Sequence, residues 1–325
     1  MNWLPTGSPP ETPNSCPHSI PKFQYGGNLG LDGSPSKVVG PRALHPGHRT
    51  TQLRDPLGSN MKRTMLGVLV LCAALVGPAN RAFAAERPVL PANVAWVVDE
   101  TDPAVLAAAF SAPRGVGAAL DHQRAIHAIV LNPELREPTL DGIVDPKRRA
   151  IVVTELDAAV QLRALTKPQP NLPKWNLIAP ASASELRAAY NKAQKETGIE
   201  WQYLAAVNFV ETKMGRIRGT STAGAQGPMQ FLPSTWKLYG KGGDINNIND
   251  SIAAAARFLK AKGGPSNMSK ALFRYNNSNK YVNAITTYAQ NMKADPGLLT
   301  EYHAWNVIYR WAPGDVYLQE GYTGL

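Results

Sequence analysis

The most constraining feature of the sequence is a nearly continuous apolar run, WQYLAAVNFV, at residues 201–210. Only Gln202 and Asn208 within it lack an apolar side chain, so a helix formed here is apolar on nearly every face. Such a helix is stable only when other elements surround it. Glu211 follows directly, and Gly215 is expected to stop the helix. The pattern therefore places a carboxylate at the end of a helix that crosses a domain interior.

A carboxyl group in that position has an unusual acid–base character. Burial removes water from Glu211, which raises its pKa. The C-terminal end of the helix presents partial negative charge, which raises the pKa further. Both effects keep a proton on the side chain near neutral pH, as a general acid requires. The alternative is an ordinary solvated glutamate at a helix end, which is the more common situation for an isolated glutamate.

The overall charge is positive but spread out. The chain has 325 residues, with 34 Lys plus Arg against 24 Asp plus Glu, a formal net charge of +10. No dense basic tract or nucleic-acid-binding motif accompanies this excess, so we expect no nucleic-acid partner. A dispersed positive charge instead fits attraction to a polyanion such as an anionic cell wall.

An export signal lies inside the chain, at residues 61–85. Lys62 and Arg63 form a positive n-region, an apolar run covers residues 65–77, and Ala82-Phe83-Ala84 is a small-x-small cleavage site. The apolar run is too short for a stable membrane span. We expect a secreted protein, periplasmic or associated with the cell wall, with no stable membrane span once the signal is cleaved after Ala84 or Ala85.

Residues 1–60 hold 10 Pro and 8 Gly without apolar periodicity, and they are interpreted as a disordered leader or a misplaced start, with translation from Met61. The two cysteines, Cys16 and Cys72, both precede the cleavage site. The mature chain would then contain no cysteine, which excludes a disulfide or a thiol nucleophile.

The chain after the predicted signal contains a Pro-rich stretch at residues 167–175. We interpret this stretch as a linker between two domains. Residues 86–173 are expected to be an uncharacterised, mostly helical region. Asp102 should cap one helix, and residues 120–131 should form another. A Thr154-x-x-Asp157 capping box should begin a third helix, and the RRAIVVTEL stretch could contain a short strand. Residues 174–325 would form a second domain, and residues 176–325 are expected to fold and act without residues 86–173.

The part after residue 174 shows clearer helical patterns. Ser182-x-x-Glu185 is a capping box and Gly198 a helix stop. Further helices are predicted at residues 200–214, 233–238, 251–262 with Asp250 as cap, 270–275 and 282–292. Tyr302, Trp305, Tyr309 and Trp311 are expected to pack back on the helices.

Common catalytic and cofactor motifs do not occur in the sequence. It has no nucleophile elbow, no P-loop, no dinucleotide fingerprint and no His-Glu-x-x-His zinc motif. His122, His127 and His303 have no ligand-like spacing, and the DINNIND stretch at residues 244–250 departs from a calcium loop at Ile248. We therefore expect neither metal nor cofactor.

Four short motifs in order change the interpretation of Glu211. Glu211-Thr212 is followed by Ser221, then Gly227-Pro228-Met229-Gln230, then Tyr275-Asn276. Together they resemble the soluble lytic transglycosylases and goose-type lysozymes, glycoside hydrolase family 23, over roughly residues 176–295. Three positions depart from that family's pattern: Thr212 replaces Ser, Pro228 replaces Leu and Arg274 replaces Ala.

The resemblance implies a mainly α, lysozyme-like catalytic domain that acts on peptidoglycan glycan strands. It implies cleavage of the β-1,4 bond between N-acetylmuramic acid and N-acetylglucosamine, with a 1,6-anhydro product. Glu211 would be the general acid and then the base. Ser221 and Tyr275 would hold Glu211 or the substrate acetamido group. Thr212, Met229, Gln230 and Asn276 would belong to the substrate-binding groove.

Two other interpretations stay open. A hydrolysing muramidase on the same fold would need a base to activate water, and Asp244 or Asp250 would be the candidate. A catalytically inactive wall-binding or signalling protein would keep the fold without the reaction. Taken one at a time, Met229 and Tyr275 also fit ordinary core residues.

Overall fold

The computed structural model describes residues 87–324. The predicted leader and the export signal lie outside the described residues. The described part is mainly helical, which confirms the predicted class. The helices are α1 (Pro103–Ser111), α2 (Val116–Leu131), α3 (Arg136–Asp141), α4 (Pro146–Arg163), α5 (Ala183–Thr197), α6 (Trp201–Thr212), α7 (Pro233–Tyr239), α8 (Ile248–Ala261), α9 (Met268–Tyr275), α10 (Asn279–Ala294) and α11 (Leu298–Ala304).

Helix boundaries follow local capping chemistry. The Asp102 carboxylate accepts the backbone N–H of Ala104 at the start of α1, as predicted. Ser182 and Glu185 form the predicted reciprocal capping box of α5. Gly198 ends α5 in the left-handed conformation, with φ of 80°.

Two helix predictions were wrong. Residues 146–163 form the single helix α4, which Asp145 caps, so the capping box and the strand assigned within it do not exist. Thr154 instead donates to the carbonyl of Ile151 one turn earlier, 2.8 Å away. Burial of an apolar stripe against neighbouring helices outweighs the strand preference of the Ile-Val-Val run. Helix α8 is capped by Asn247, with Asp250 already inside the first turn.

Within residues 87–324, five short strands form two small sheets. They are β1 (Val94–Trp96), β2 (Asn176–Leu177), β3 (Ile217–Arg218), β4 (Val307–Trp311) and β5 (Gly314–Leu318). β5 is the central strand of an antiparallel sheet, where Leu318 lies opposite both Val94 and Val307. β2 and β3 pair antiparallel in the second sheet.

The aromatic tail was only partly predicted. Tyr302 and Trp305 pack against Phe209 of α6, with ring centroids 5.1 and 5.5 Å away. Tyr309 and Trp311 lie in β4 instead, and Trp311 stacks on Trp96 of β1 at 5.7 Å. Strand β1 thus precedes the predicted linker and pairs with the C-terminal sheet.

The predicted boundary at residues 173 and 174 falls within one compact unit, residues 88–325. Helix α10 packs against both α4 and α6, and one hydrophobic core includes Phe110 and Leu156 together with Phe209 and Tyr288. The boundary itself stays a prediction, but a shared core argues against independent folding of residues 174–325.

A buried charge network reinforces that shared core. His122 of α2 contacts Glu155 of α4, with Nε2 and Oε2 2.8 Å apart, and its other ring nitrogen contacts Glu301 of α11. Arg148 also binds Glu301, at 2.6 Å. Burial favours the protonated form of Glu301, but the hydrogen bonds from His122 and Arg148 outweigh it and lower its pKa to about 2. Loss of one partner would leave a buried charge uncompensated.

Among the described residues, no helix is long and apolar enough to cross a membrane.

Candidate active site

The candidate site begins at the strained end of α6. Lys213 and Met214 adopt positive φ values of 51° and 61°, and Gly215 follows at 86°. The backbone N–H of Met214 donates to the carbonyl of Asn208 at 3.2 Å, which closes the helix end. Left-handed conformations at two non-glycine residues each cost on the order of 1–2 kcal/mol. Strain of this kind is common where a backbone positions functional groups.

Glu211 lies in the last turn of α6 and is 1% exposed. The hydroxyl of Tyr281 donates to its Oε1 at 2.8 Å. Its Oε2 is buried and has no hydrogen-bond partner. One carboxyl oxygen is therefore held in place, and the other has no protein group that binds it.

The pKa of Glu211 is raised to about 8, from an ordinary 4.5. Burial is the main cause, because it penalises the charged carboxylate. The hydrogen bond from Tyr281 acts in the opposite direction, because it stabilises the carboxylate. The side chain is accordingly protonated at neutral pH, which is the state predicted for a general acid.

Thr212 joins α6 to the next motif segment. Its hydroxyl donates to the carbonyl of Pro228 at 2.6 Å and accepts the N–H of Gly215 at 3.0 Å. Asn208 donates to the same Pro228 carbonyl at 3.0 Å, and Tyr190 orients Asn208. Thr212 is fully buried, so its contacts assign it a bracing role for the loop behind Glu211.

The Gly-Pro-Met-Gln motif forms a tight loop whose glycine has a steric explanation. A Cβ on Gly227 would lie 1.9 Å from the carbonyl oxygen of Ile245, and its φ is 72°. Gln230 also has a positive φ, 50°, and its side-chain amide donates to the Gly227 carbonyl at 2.9 Å. The side-chain oxygen of Gln230 is buried without a partner. The loop thus offers a second unpaired acceptor in the motif region.

Tyr275 and Asn276 close the site from α9. Tyr275 is 2% exposed and donates to the Met229 carbonyl at 2.6 Å. Its ring is nearly parallel to that of Tyr281, with centroids 6.4 Å apart. The resemblance implied that Tyr275 holds Glu211 or the substrate acetamido group, and the hydroxyl that binds Glu211 is that of Tyr281. Asn276 is the buried C-cap of α9.

Ser221 has a different neighbourhood from the one expected. Its hydroxyl oxygen accepts the backbone N–H groups of Ala223 and Ala225, at 3.2 and 3.0 Å. These contacts shape the turn at residues 221–225 and do not extend to Glu211. Among the described residues Ser221 makes no hydrogen bond to Glu211, and its contact with the substrate acetamido group stays a prediction.

The structure thus connects the motif residues of three segments by hydrogen bonds. Thr212 and Tyr275 both bind carbonyls of the 227–230 loop, and Tyr281 completes the contact to Glu211. Sequence reasoning missed Tyr281, because a tyrosine on an amphipathic helix fits a core position. The available indication was Ser278, which caps α10 and places Tyr281 in its first turn.

The two alternative carboxylates have local structural roles. Asp250 accepts the backbone N–H of Asp244 at 3.0 Å, and Asp244 accepts that of Asn246 at 2.9 Å. Both contacts stabilise the turn that also contains Ile245, whose carbonyl oxygen lies close to Gly227.

Comparison with known proteins finds similarity over the segment that contains Glu211, the Gly227 loop and Tyr281. Residues 188–296 match the family model "Transglycosylase SLT domain". The "Membrane-bound lytic murein transglycosylase F" of Thiobacillus denitrificans is 29% identical over 125 residues, which covers 36% of this chain and 26% of that protein. The chain thus matches about a quarter of that relative's length. No solved structure gives a significant match. Residues 188–296 of this chain are therefore similar to the SLT domain of lytic transglycosylases.

Proposed function

We propose that this chain is a peptidoglycan lytic transglycosylase and that Glu211 is its acid and base. The observation that carries the proposal is a buried carboxyl group with a pKa of about 8, oriented by Tyr281 through Oε1 and unpaired at Oε2. The SLT domain match, and the name of the similar transglycosylase, support peptidoglycan as the substrate.

In the first step, protonated Glu211 donates its proton to the glycosidic oxygen between N-acetylmuramic acid and N-acetylglucosamine. The bond from C1 to that oxygen breaks, and the 2-acetamido oxygen of the muramic residue stabilises the positive charge at C1. This substrate-assisted route does not need a second protein carboxylate. The other buried glutamates among the described residues, Glu155 and Glu301, are both held in the His122 network.

In the second step, the Glu211 carboxylate removes the proton from the C6 hydroxyl of the same muramic residue. The C6 oxygen then forms a bond to C1, which neutralises the positive charge that the acetamido oxygen stabilised there. Glu211 is again protonated, and no water has been consumed. Since Oε2 is buried in this structure, the surrounding side chains have to open for the glycan to reach it.

The mass of the soluble products tests the proposal. Purified sacculi digested by the protein should release anhydromuropeptides, about 18 Da lighter than the hydrolysed forms because no water is added. These products should also resist borohydride, because their muramic ends are not reducing. Reducible ends would identify a muramidase and direct attention to Asp244 and Asp250. Sacculus binding without soluble products would identify an inactive wall-binding protein.

The place of action follows from the same substrate. Peptidoglycan lies outside the cytoplasmic membrane, and the sequence of residues 61–85 has the order of a secretory signal. The proposal therefore includes export and removal of that segment. N-terminal sequencing of the exported protein should give a start just after Ala84 or Ala85, whereas a start near Met1 would exclude this processing.

A further inference from the structure

A small, mainly apolar cavity with several cationic side chains in its lining lies between α2, α4 and β4. Its volume is about 100 Å³, and its walls come from α2, α4, α10 and β4, with residues that follow α6 and α11. Apolar side chains form one part of the lining, among them Ile126, Leu162 and Ile308. Lys213, directly after α6, contributes a cationic side chain to the same lining. None of the predicted active-site residues lines this cavity.

Two hydrogen-bond donors in the lining residues are buried without acceptors, and the same lining holds a nearly buried ammonium group. Lys213 is 8% exposed, and its Nζ lies over the face of Phe209, 4.0 Å from the ring centroid. The indole N–H of Trp305 and the Nε–H of Arg310 are buried without partners. Buried donors without acceptors are costly, so two of them in the lining of one cavity, together with the Lys213 ammonium, indicate a missing acceptor.

The charges around the cavity indicate the sign of that acceptor. Its lining contains His127, Arg163, Lys213 and Arg310 but, among the described residues, no aspartate or glutamate. The nearby Asp315 carboxylate is already shared by Arg163 and His127, at 2.5 and 3.0 Å. Burial alone lowers the pKa of Lys213 to about 7. A bound anion would compensate the charge that burial otherwise penalises.

We propose that this cavity binds a small aliphatic carboxylate. The carboxylate oxygens would accept from Lys213, Trp305 and Arg310, and the alkyl part would contact Ile126 and Ile308. The volume corresponds to roughly three water molecules at ~30 Å³ each, which suits an acid of two or three carbons. The same chemistry is presented by a free short-chain acid and by the C-terminal carboxylate of a peptide.

The test compares carboxylates with uncharged molecules of the same shape. Binding of acetate, propionate and N-acetylalanine to the full chain is measured by calorimetry and by the shift in melting temperature. Acetamide and propionamide, with sodium chloride at equal ionic strength, are the references. We expect saturable binding of at least one of the three carboxylates and no binding of acetamide or propionamide. Preference for propionate would indicate a free acid, and preference for N-acetylalanine a peptide end.

Two variants locate the binding. Lys213→Met keeps the length of the side chain but removes its charge, and Ala159→Met fills the cavity without removing a donor. Each should weaken carboxylate binding at least tenfold, while Lys237→Met, at an exposed position on α7, should not. If Lys213→Met fails to fold, Ala159→Met decides the question. Equal effects of propionate and propionamide, or full binding in Ala159→Met, would overturn the proposal and leave a water-filled cavity.

Discussion

Tyr281 donates a 2.8 Å hydrogen bond to Oε1 of Glu211, and both side chains are buried. This contact connects the first turn of α10 to the last turn of α6. It stabilises the carboxylate against the larger effect of burial, so it brings the pKa of Glu211 down toward neutral pH. A group that must act first as an acid and then as a base benefits from such a balance.

The first prediction concerns this balance. Tyr281→Phe removes the hydrogen bond and should raise the pKa of Glu211 by about one pH unit, since hydrogen bonds to charged groups contribute ~1.5 kcal/mol or more. In the proposed mechanism the form with protonated Glu211 is active, so kcat/KM of the wild type should fall as pH rises through about 8. In the variant this fall should move to higher pH.

Tyr275→Phe is the matched control for that experiment. Its hydroxyl binds the Met229 carbonyl and not Glu211, so its loss should lower stability or rate without moving the pH profile. A shift of the pH profile in Tyr275→Phe, with no shift in Tyr281→Phe, would indicate that Tyr275 orients Glu211.

The second prediction concerns stability and pH. The pKa of Glu211 is about 8 in the folded protein and near 4.5 in the unfolded chain, so the unfolded chain releases this proton first as pH rises. Glu211 therefore lowers stability progressively between about pH 4.5 and pH 8. Glu211→Gln should remove that loss, with a gain on the order of 3–5 kcal/mol at pH 8.5 relative to pH 4.5.

Denaturant unfolding of both proteins at the two pH values measures this gain. Glu196→Gln, on the exposed face of α5, removes the same formal charge and should give no such pH-dependent difference. A constant difference between Glu211→Gln and the wild type across this range would mean that Glu211 ionises normally.

The third prediction concerns the loop that carries Met229 and Gln230. Gly227→Ala should destabilise the protein by on the order of 3 kcal/mol or more, because its Cβ would overlap the Ile245 carbonyl. Gly224→Ala has a similar positive φ but no heavy atom within 4 Å of the added Cβ. Gly224→Ala should therefore lower the stability of the protein by only about 1 kcal/mol. Thermal unfolding of the two variants should separate them, and equal losses would contradict the close approach of the Ile245 carbonyl as the cause.

The fourth prediction concerns the predicted boundary at residue 174. A fragment of residues 174–325 lacks α1, α2 and α4, so it exposes the side of α10 that packs on α4 and leaves Glu301 without His122 and Arg148. We expect the fragment to be unfolded by circular dichroism, while residues 87–325 unfold in one transition. A folded, active fragment would instead support two separable domains.

The sequence was informative where local chemistry decides the structure. The apolar run before Glu211 predicted a buried helix, and the Ser182 capping box and Gly198 predicted both ends of α5. Prediction failed where tertiary contacts decide. The Ile-Val-Val run of α4 has strand propensity, and only packing against α10 explains its helical state. Strand β1 has three residues, and its partner β5 lies more than two hundred residues later.

In the candidate site, too, some features could be predicted from the sequence and others could not. The motif order identified Glu211 and the loop around Gly227, because their residue types are set by burial and by steric contact. The hydrogen-bond partners were not predictable from order alone. Tyr275 and Tyr281 are both buried tyrosines near Glu211, and only the relative orientation of α9 and α10 decides which hydroxyl reaches it.

The most direct test of the central claim is the release of soluble muropeptides from purified sacculi by Glu211→Gln. The amide keeps the shape of the side chain but has no proton to donate to the glycosidic oxygen. We predict a fall in rate of at least roughly 10²–10⁴-fold, the usual contribution of general acid catalysis, with the circular dichroism spectrum unchanged. Release at the wild-type rate by the folded variant would contradict the assignment of Glu211 as the catalytic acid.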